Sequence, residues 1–495
     1  MMSSGAGMEL WAIVPELILA TAVLILLPLG SFLPSARKGT ATLVAAIALV
    51  AAALASIAMT RWNPQAVFID TYVVDPLAVF TKLFAITGTL ATLLAVRGYF
   101  RGAPREGAVP AMLTLTCLGA IGLAASQDLV LIALFIQLVG IGSYVLAGIV
   151  KDDRLATEGA LKLFLFSATA GAAMLYGMSL LYGLTGALRL PEIAARLPSA
   201  PLAVAAGVAL LLAGYGFKMT LVPFHAWAPD TYQGAPTPIA GFLSVVPKAA
   251  GFAVLLRTMM IAFRVDLVDW PTLMAIVAAL TMTVGNMLAL RQTSAKRLLA
   301  YSSIAQAGYL LVGIAAARYD ALAVPGLIFY LVIYLFMNLG AFYAVALVEQ
   351  RHGSDDLGVL AGLAKARPWT AIGLTLCLLS LAGVPPLAGF AGKTMLFGAA
   401  LGAGWTALAA LMAANSALSL YFYLRMIQPM YFEAAVAPRA GHELVPHSER
   451  RTLRWVFASL AAGTLVIGVL PEPWIGWAGQ AGTIWTVDSA ALPRR

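Results

Sequence analysis

Residues 214–251 read GYGFKMTLVPFHAWAPDTYQGAPTPIAGFLSVVPKAAG, and this stretch decides the fold. Lys218 and Lys248 each stand inside an apolar run, where a lysine facing mid-bilayer costs at least about 2.5–3.5 kcal/mol. Pro223 follows shortly after Lys218. Proline lacks a backbone donor and clashes with the preceding turn, so a helix unwinds at that point. Unwound backbone at membrane depth is tolerated only in a protein interior or beside water. An ordinary proline kink and a snorkelling lysine are the plain alternatives. They suit Lys218 and Lys248 poorly, because both are flanked by apolar sequence. The pattern is that of a broken membrane helix presenting a lysine to an interior.

The rest of the 495-residue chain has the same character, with 61% hydrophobic and 11% charged residues. Soluble domains carry about 25% charged residues. Apolar stretches long enough to span a bilayer, at about 20 residues each, recur throughout, and little polar sequence is left for a soluble domain. The net charge of +9 does not indicate nucleic acid, because the basic residues sit in short loops and not on one aromatic-rich face. Cys117 and Cys377 are far apart in apolar runs, and His225, His352, His442 and His447 are scattered. Neither set has the spacing of a zinc or iron–sulfur site, so no redox centre or metal is expected in this chain. Leu10–Leu33 has no basic region before it and reads as a retained first helix.

Helices are expected at 9–33, 41–60, 75–97, 109–126, 128–150, 159–183, 202–222, 237–262, 270–290, 296–317, 321–349, 367–402, 404–432 and 453–476, fourteen in all. Most basic residues then fall on one set of loops: Arg37, Lys38, Arg97, Arg101, Arg105, Lys151, Arg154, Arg291, Lys296, Arg297, Arg450, Arg451 and Arg454 among them. Cytoplasmic loops carry such an excess, which orients both termini outward. Lys82, Lys162 and Lys393 also lie in apolar runs. Lys82, near a run's end, reads equally as snorkelling or structurally paired.

The twelfth expected helix repeats the pattern of the seventh, with Pro385-Pro386 interrupting it just before Lys393. The two breaks lie five helices apart, and an odd offset reverses orientation. Interrupted helices in corresponding positions of two halves point to a transport site. The expected architecture is an all-α polytopic membrane protein with two inverted five-helix repeats and broken helices 7 and 12. Residues 1–108 hold helices 1–3, 109–265 the first repeat, 266–433 the second, and 434–495 a loop and helix 14.

Four stretches carry a resemblance: Gly214–Arg257, LKLFLFSATAGAAMLYGMSLLYGLTG (161–186), LRQTSAKRLLAYSSIAQAGYLLVGI (290–314) and LSLAGVPPLAGFAGKTMLFGAAL (379–401). They resemble the antiporter-like membrane subunits of respiratory complex I, a family that includes multisubunit cation/proton antiporters and membrane-bound hydrogenases. Lys393 at the second break, where M-type relatives tend to have glutamate, and the lack of a long lateral helix after helix 14 make the chain most similar to the N branch. The resemblance implies a proton-translocating subunit of NADH–quinone oxidoreductase, and the Ala-rich composition with no leader before the first helix points to a bacterial plasma membrane. NAD, FMN, iron–sulfur clusters and quinone would belong to partner subunits, and the neighbouring membrane-arm subunits would be its partners. It implies a midplane relay with Lys218 as switching lysine, Lys248 next, Lys162 near the path, Lys393 leading to the other side, and His225 in the connecting chain. Buried lysines release protons more readily than exposed ones, and relay groups must lie within hydrogen-bond reach or one water apart.

One position departs from the pattern. The family's helix-5 glutamate is matched here by Gln137, which cannot hold a negative charge near Lys218. Glu158, four residues before Lys162 and able to pair with it on one helix face, and Asp128 are the candidate replacements. A subunit of a cation/proton antiporter and a non-pumping scaffold stand as the other readings.

Overall fold

The computed structural model describes residues 9–32, 39–62, 64–97, 99–100, 106–436 and 451–482. Arg37, Lys38, Arg101, Arg105, Arg450, His442 and His447 lie outside the described residues. Helices α1 (Val14–Phe32) and α2 (Gly39–Ala58) lead to a hairpin of β1 (Gln65–Val67) and β2 (Tyr72–Val74). Then come α3 (Pro76–Arg97), α4 (Ala108–Ala125), α5 (Leu129–Ala147), α6 (Arg154–Thr185), the short α7 (Leu190–Arg196), α8 (Pro201–Met219), the short α9 (Ala228–Gly234) and α10 (Thr237–Ala262). The second half holds α11 (Trp270–Ala289), α12 (Ala295–Ala316), α13 (Ala323–His352), the half helices α14 (Pro368–Ala382) and α15 (Ala388–Gly402), α16 (Thr406–Phe432), α17 (Arg451–Val469) and α18 (Glu472–Gly482). Single helical turns occur at Met59–Arg61, Leu357–Leu360 and Leu363–Ala366.

Among the described residues, twelve helices are long and apolar enough to cross a membrane, and Val14–Gly30 and Pro368–Ala382 are shorter apolar helices. The expected fourteen full spans are therefore reduced. The first is the shorter Val14–Gly30, and the twelfth divides into α14 and α15; the fourteenth keeps a full span in α17 and continues past Pro471 as α18. The all-α expectation also needs the small antiparallel hairpin added, registered Gln65↔Val74, Ala66↔Val73 and Val67↔Tyr72. Too short to stand alone, it delivers the chain to Asp75, whose Oδ1 accepts the Ala78 N–H at 2.8 Å and starts α3.

Local chemistry sets the helix starts. Asp128, Asp153, Asp269 and Ser294 cap α5, α6, α11 and α12 with side-chain oxygens that accept the first backbone N–H groups, the role short polar side chains fill at helix N-termini. The centre of the molecule is α10, α12 and α13, buried along nearly all their length. Helices α2, α6, α11, α16 and α17 lie at the periphery and present large apolar residues such as Leu54, Phe164 and Tyr421 outward, as α1 does Leu24. That is an arrangement for a lipid solvent, with an apolar exterior and the buried polar groups gathered inside an otherwise apolar core.

Both expected breaks are present. Helix α8 ends at Thr220, which adopts left-handed φ 60°, and the Leu221 N–H folds back to the Gly216 carbonyl at 2.8 Å. Helix α14 ends at Gly383, φ 88°, whose N–H reaches the carbonyls of Leu379 and Ser380 at 3.0 Å. The second site uses glycine, which occupies that region without steric cost. The peptide bonds preceding Pro223 and Pro386 are cis.

Candidate functional site

Lys248 on α10 is buried, and its ammonium donates to the Ser303 carbonyl at 2.7 Å and the Ser303 hydroxyl at 2.6 Å. The Tyr334 hydroxyl donates to the same Ser303 Oγ at 2.7 Å and reaches the Ser244 carbonyl at 3.3 Å. The Asn338 amide closes this group by donating to Ser244 Oγ at 2.7 Å. One turn along α12, Gln306 donates to Tyr423 OH at 3.3 Å and to the Leu381 carbonyl at 3.0 Å, and accepts from Tyr330. Ser302 and Tyr423 share a hydrogen bond of 2.5 Å. Helical spacing explains the row: 302, 306 and 309 share one face of α12, and 330, 334 and 338 one face of α13.

Lys393, also buried, sits at the far end of this row. Its ammonium donates to the carbonyls of Leu381 and Ala382, both at 2.9 Å, and to Ser416 Oγ at 3.0 Å, and it lies 4.5 Å from the Tyr309 ring centroid. The two carbonyls are orphans of the α14 C-terminus, the negative end of a half-helix dipole. Lys393 thus caps the break that brings it there. It also lines a cavity of about 310 Å³ with Phe390, Phe397, Met412 and Leu420.

Lys218 occupies the last turn of α8, buried, with its ammonium 5.9 Å from the Phe217 ring centroid. Its stem crosses α10 at Gly251, three residues beyond Lys248; a Cβ there would stand 3.6 Å from Lys218 Cγ and 2.8 Å from Met219 Cγ. Glycine therefore lets the two lysine-bearing helices close.

The other buried basic residues are of a different kind. Lys82 lies 3.0 Å from Glu16, which also accepts from the Tyr72 hydroxyl at 2.6 Å, so Lys82 is structurally paired and not snorkelling. Lys296, expected at the loop end of the helix 296–317, is buried, 3.2 Å from Glu349. Arg257 holds Asp75 with two bonds of 2.8 and 2.9 Å. By contrast, among the described residues no carboxylate lies within 4.0 Å of the Lys218, Lys248 or Lys393 ammonium.

Not every candidate joins the row. Lys162 is half-exposed, 2.7 Å from Glu158 and 2.5 Å from Asp230, so Glu158 serves Lys162 and not Lys218. Asp128 is occupied as the α5 cap. Gln137 is exposed on the outer side of α5, beside Gly171 of α6. His225 is in the loop after the α8 break, its buried Nδ1 without a hydrogen-bond partner among the described residues. Sequence reading missed Ser303, Gln306, Tyr330, Tyr334, Tyr423 and Asp230. The four-residue spacing of Tyr330, Tyr334 and Asn338 inside an apolar helix was the available signal.

Residues 126–419 match the family described as NADH:quinone oxidoreductase/Mrp antiporter, transmembrane. The chain is 40% identical to NADH-quinone oxidoreductase subunit N of Trichlorobacter lovleyi, over 95% of this chain and 96% of that protein. It is 39% identical to NAD(P)H-quinone oxidoreductase subunit 2 of Thermosynechococcus vestitus, over 97% and 94%. A chain of respiratory complex I from Thermus thermophilus superposes with a TM-score of 0.79 at 33% identity, covering 94% of this chain and 99% of that one. A chain of the Mrp complex from Dietzia sp. DQ12-45-1b shares the fold, with a TM-score of 0.85 at 22% identity over 98% and 99%. With this fold, its buried lysines and these relatives, the chain belongs to the subunit N family of NADH-quinone oxidoreductase, the antiporter-like membrane subunits of respiratory complex I.

Proposed function

We propose that this subunit translocates protons along the row Lys218, Lys248, Lys393, driven by quinone reduction in other chains of the complex. The observation that carries the reading is the contrast among buried lysines. Lys82 and Lys296 face carboxylates, whereas the three lysines of the row are held by neutral groups or packing alone. An unpaired charge in a low-dielectric interior is costly, so a fold that keeps three of them uses them for something other than stability. Hydroxyls of Ser303, Tyr334, Tyr330 and Tyr423 both donate and accept, which suits them to passing protons between amines.

Lys162, with Glu158 as its charge partner, lies near the path in this reading, His225 stands in the connecting chain, and Lys393 delivers protons to the opposite side. Gln137 replaces a charge with a neutral amide, consistent with a Lys218 that works without a carboxylate partner. Residues 109–265 and 266–433 act as two inverted repeats, each supplying one break and its lysine. Residues 1–108 and 434–495 flank them. The setting is a bacterial plasma membrane, with neighbouring membrane-arm subunits as partners. NAD, FMN, iron–sulfur clusters and quinone serve elsewhere in the complex.

NADH-driven proton uptake by inverted membrane vesicles, followed by dye quench at matched complex content, tests this with Lys248→Ala. Loss of uptake supports the relay, and unchanged uptake contradicts it. Absence of any NADH-driven signal in the wild type would move the reading to cation/proton exchange.

A further inference from the structure

The ion cluster around Asp230 has a geometry that the relay does not account for. Asp230 lies on the seven-residue helix α9. One carboxylate oxygen takes Lys162 of α6 at 2.5 Å, and the other takes Arg297 of α12 at 2.5 Å. Lys162 is further held by Glu158, and Arg297 by Gln233 and Gln292 at 3.1 and 3.2 Å. The preceding residue of α12, Lys296, donates to the Ala235 carbonyl at the end of α9, at 3.1 Å. Helix α9 is thereby fastened at its middle and its end to a helix from each half of the chain.

The seating against α6 is close. A Cβ at Gly159 would come within 2.9 Å of the Asp230 carbonyl, and one at Gly234 within 2.1 Å of the Leu155 carbonyl. Thr231 donates to the Gly159 carbonyl at 2.8 Å. Two residues past Asp230, Tyr232 points the other way. It is fully buried, and its hydroxyl reaches the Leu243 carbonyl of α10 at 3.4 Å, one residue before Ser244, which Tyr334 and Asn338 bond beside the Lys248 cluster. Its ring rests edge-on against Phe342 and Trp227.

A helix under two turns long has little stability of its own, so its placement follows from what grips it. Asp230 is the only residue of α9 that holds cations from both halves among the described ion pairs. We propose that Asp230 is a positioning residue for the relay: the latch it forms with Lys162 and Arg297 sets Tyr232 against the Lys248 cluster. Opening the latch lets α9 shift on α6 and takes Tyr232 out of register with Leu243 and with Ser244, which meets Tyr334. This rests on the relay reading. The latch is partly exposed, so its ion pairs alone add little stability, and its effect is on placement.

The test uses the assembled complex in inverted vesicles, with NADH-driven proton uptake measured for Asp230→Asn, Asp230→Glu, Tyr232→Phe, the Asp230→Asn/Tyr232→Phe double variant and Lys248→Ala. Asp230→Asn is expected to lower uptake by about tenfold, within the cost of a misplacement of about 1 Å. Asp230→Glu should restore most of it, and the double variant should lose no more than the worse single one, because both act at one contact. Losses that multiply, or an Asp230→Asn rate equal to wild type while Lys248→Ala is inactive, overturn the latch and leave the relay standing. An active Lys248→Ala overturns the relay and the latch together. If Asp230→Asn reduces complex content, Arg297→Gln removes one arm of the latch from a part-exposed position. Non-multiplicative loss with Tyr232→Phe is then expected, and multiplicative loss overturns the proposal.

Discussion

Lys248 donates to both the carbonyl and the hydroxyl of Ser303, at 2.7 and 2.6 Å, so one residue of α12 takes two of the ammonium's three protons. The hydroxyl also accepts from Tyr334. Protonation of Lys248 is thus tied to the orientation of a single rotatable O–H.

Ser303→Ala removes that hydroxyl and keeps the carbonyl. Proton uptake is expected to fall by about tenfold, equivalent to one lost hydrogen bond to a charged group at about 1.5 kcal/mol. Complex content should stay normal. Uptake equal to wild type at matched content would show that the hydroxyl is not in the path.

Lys393 separates capping from proton transfer. Lys393→Arg keeps a cation against the Leu381 and Ala382 carbonyls, but a guanidinium does not release its proton in proteins. Assembly should survive while uptake is lost. Uptake retained by the arginine variant would make Lys393 a structural cap only.

The Lys82–Glu16 pair predicts the opposite pattern. Glu16→Ala strands a fully buried ammonium, and breaking a buried pair costs about 3–5 kcal/mol. Thermal unfolding of the purified complex should begin earlier for this subunit. Glu16→Gln combined with Lys82→Met should recover most of the loss. A single variant as stable as wild type would contradict the pairing.

Gln137 faces outward and has Gly171 as its close neighbour. Gln137→Ala is therefore expected to change uptake by no more than about twofold, the ordinary scale for a surface position. A larger loss in matched vesicles would give the amide a direct part in the path.

What the sequence disclosed, and what it hid, follows from range. Pro223 and Pro385-Pro386 act on their own turns, so both breaks were legible, and Thr237–Ala262 has the expected bounds. Lys218, Lys248 and Lys393 were legible because a lysine in an apolar run is costly wherever it points. Lys162 looked equivalent but pairs with Glu158 and with Asp230, and Asp230 lies 68 residues away. The hidden part is tertiary. Glu16 and Lys82 are 66 residues apart, and Lys248 and Ser303 are 55 apart. Leu381 contributes only a carbonyl, which no side-chain pattern reveals. The hairpin at Gln65–Val74 escaped because strands of three residues are too short to show periodicity.

Lys218→Ala puts the central claim to its most direct test, with NADH-driven proton uptake and NADH oxidation measured in inverted vesicles matched for assembled complex. Lys218 has no carboxylate partner among the described residues, and its stem lies against α10 three residues from Lys248. The relay predicts a loss of uptake of about a hundredfold, the lower range for removing a group that carries a proton in the rate-limiting step, with assembly intact. Uptake and turnover both equal to wild type would remove Lys218 from the path and leave the subunit a scaffold within the membrane arm.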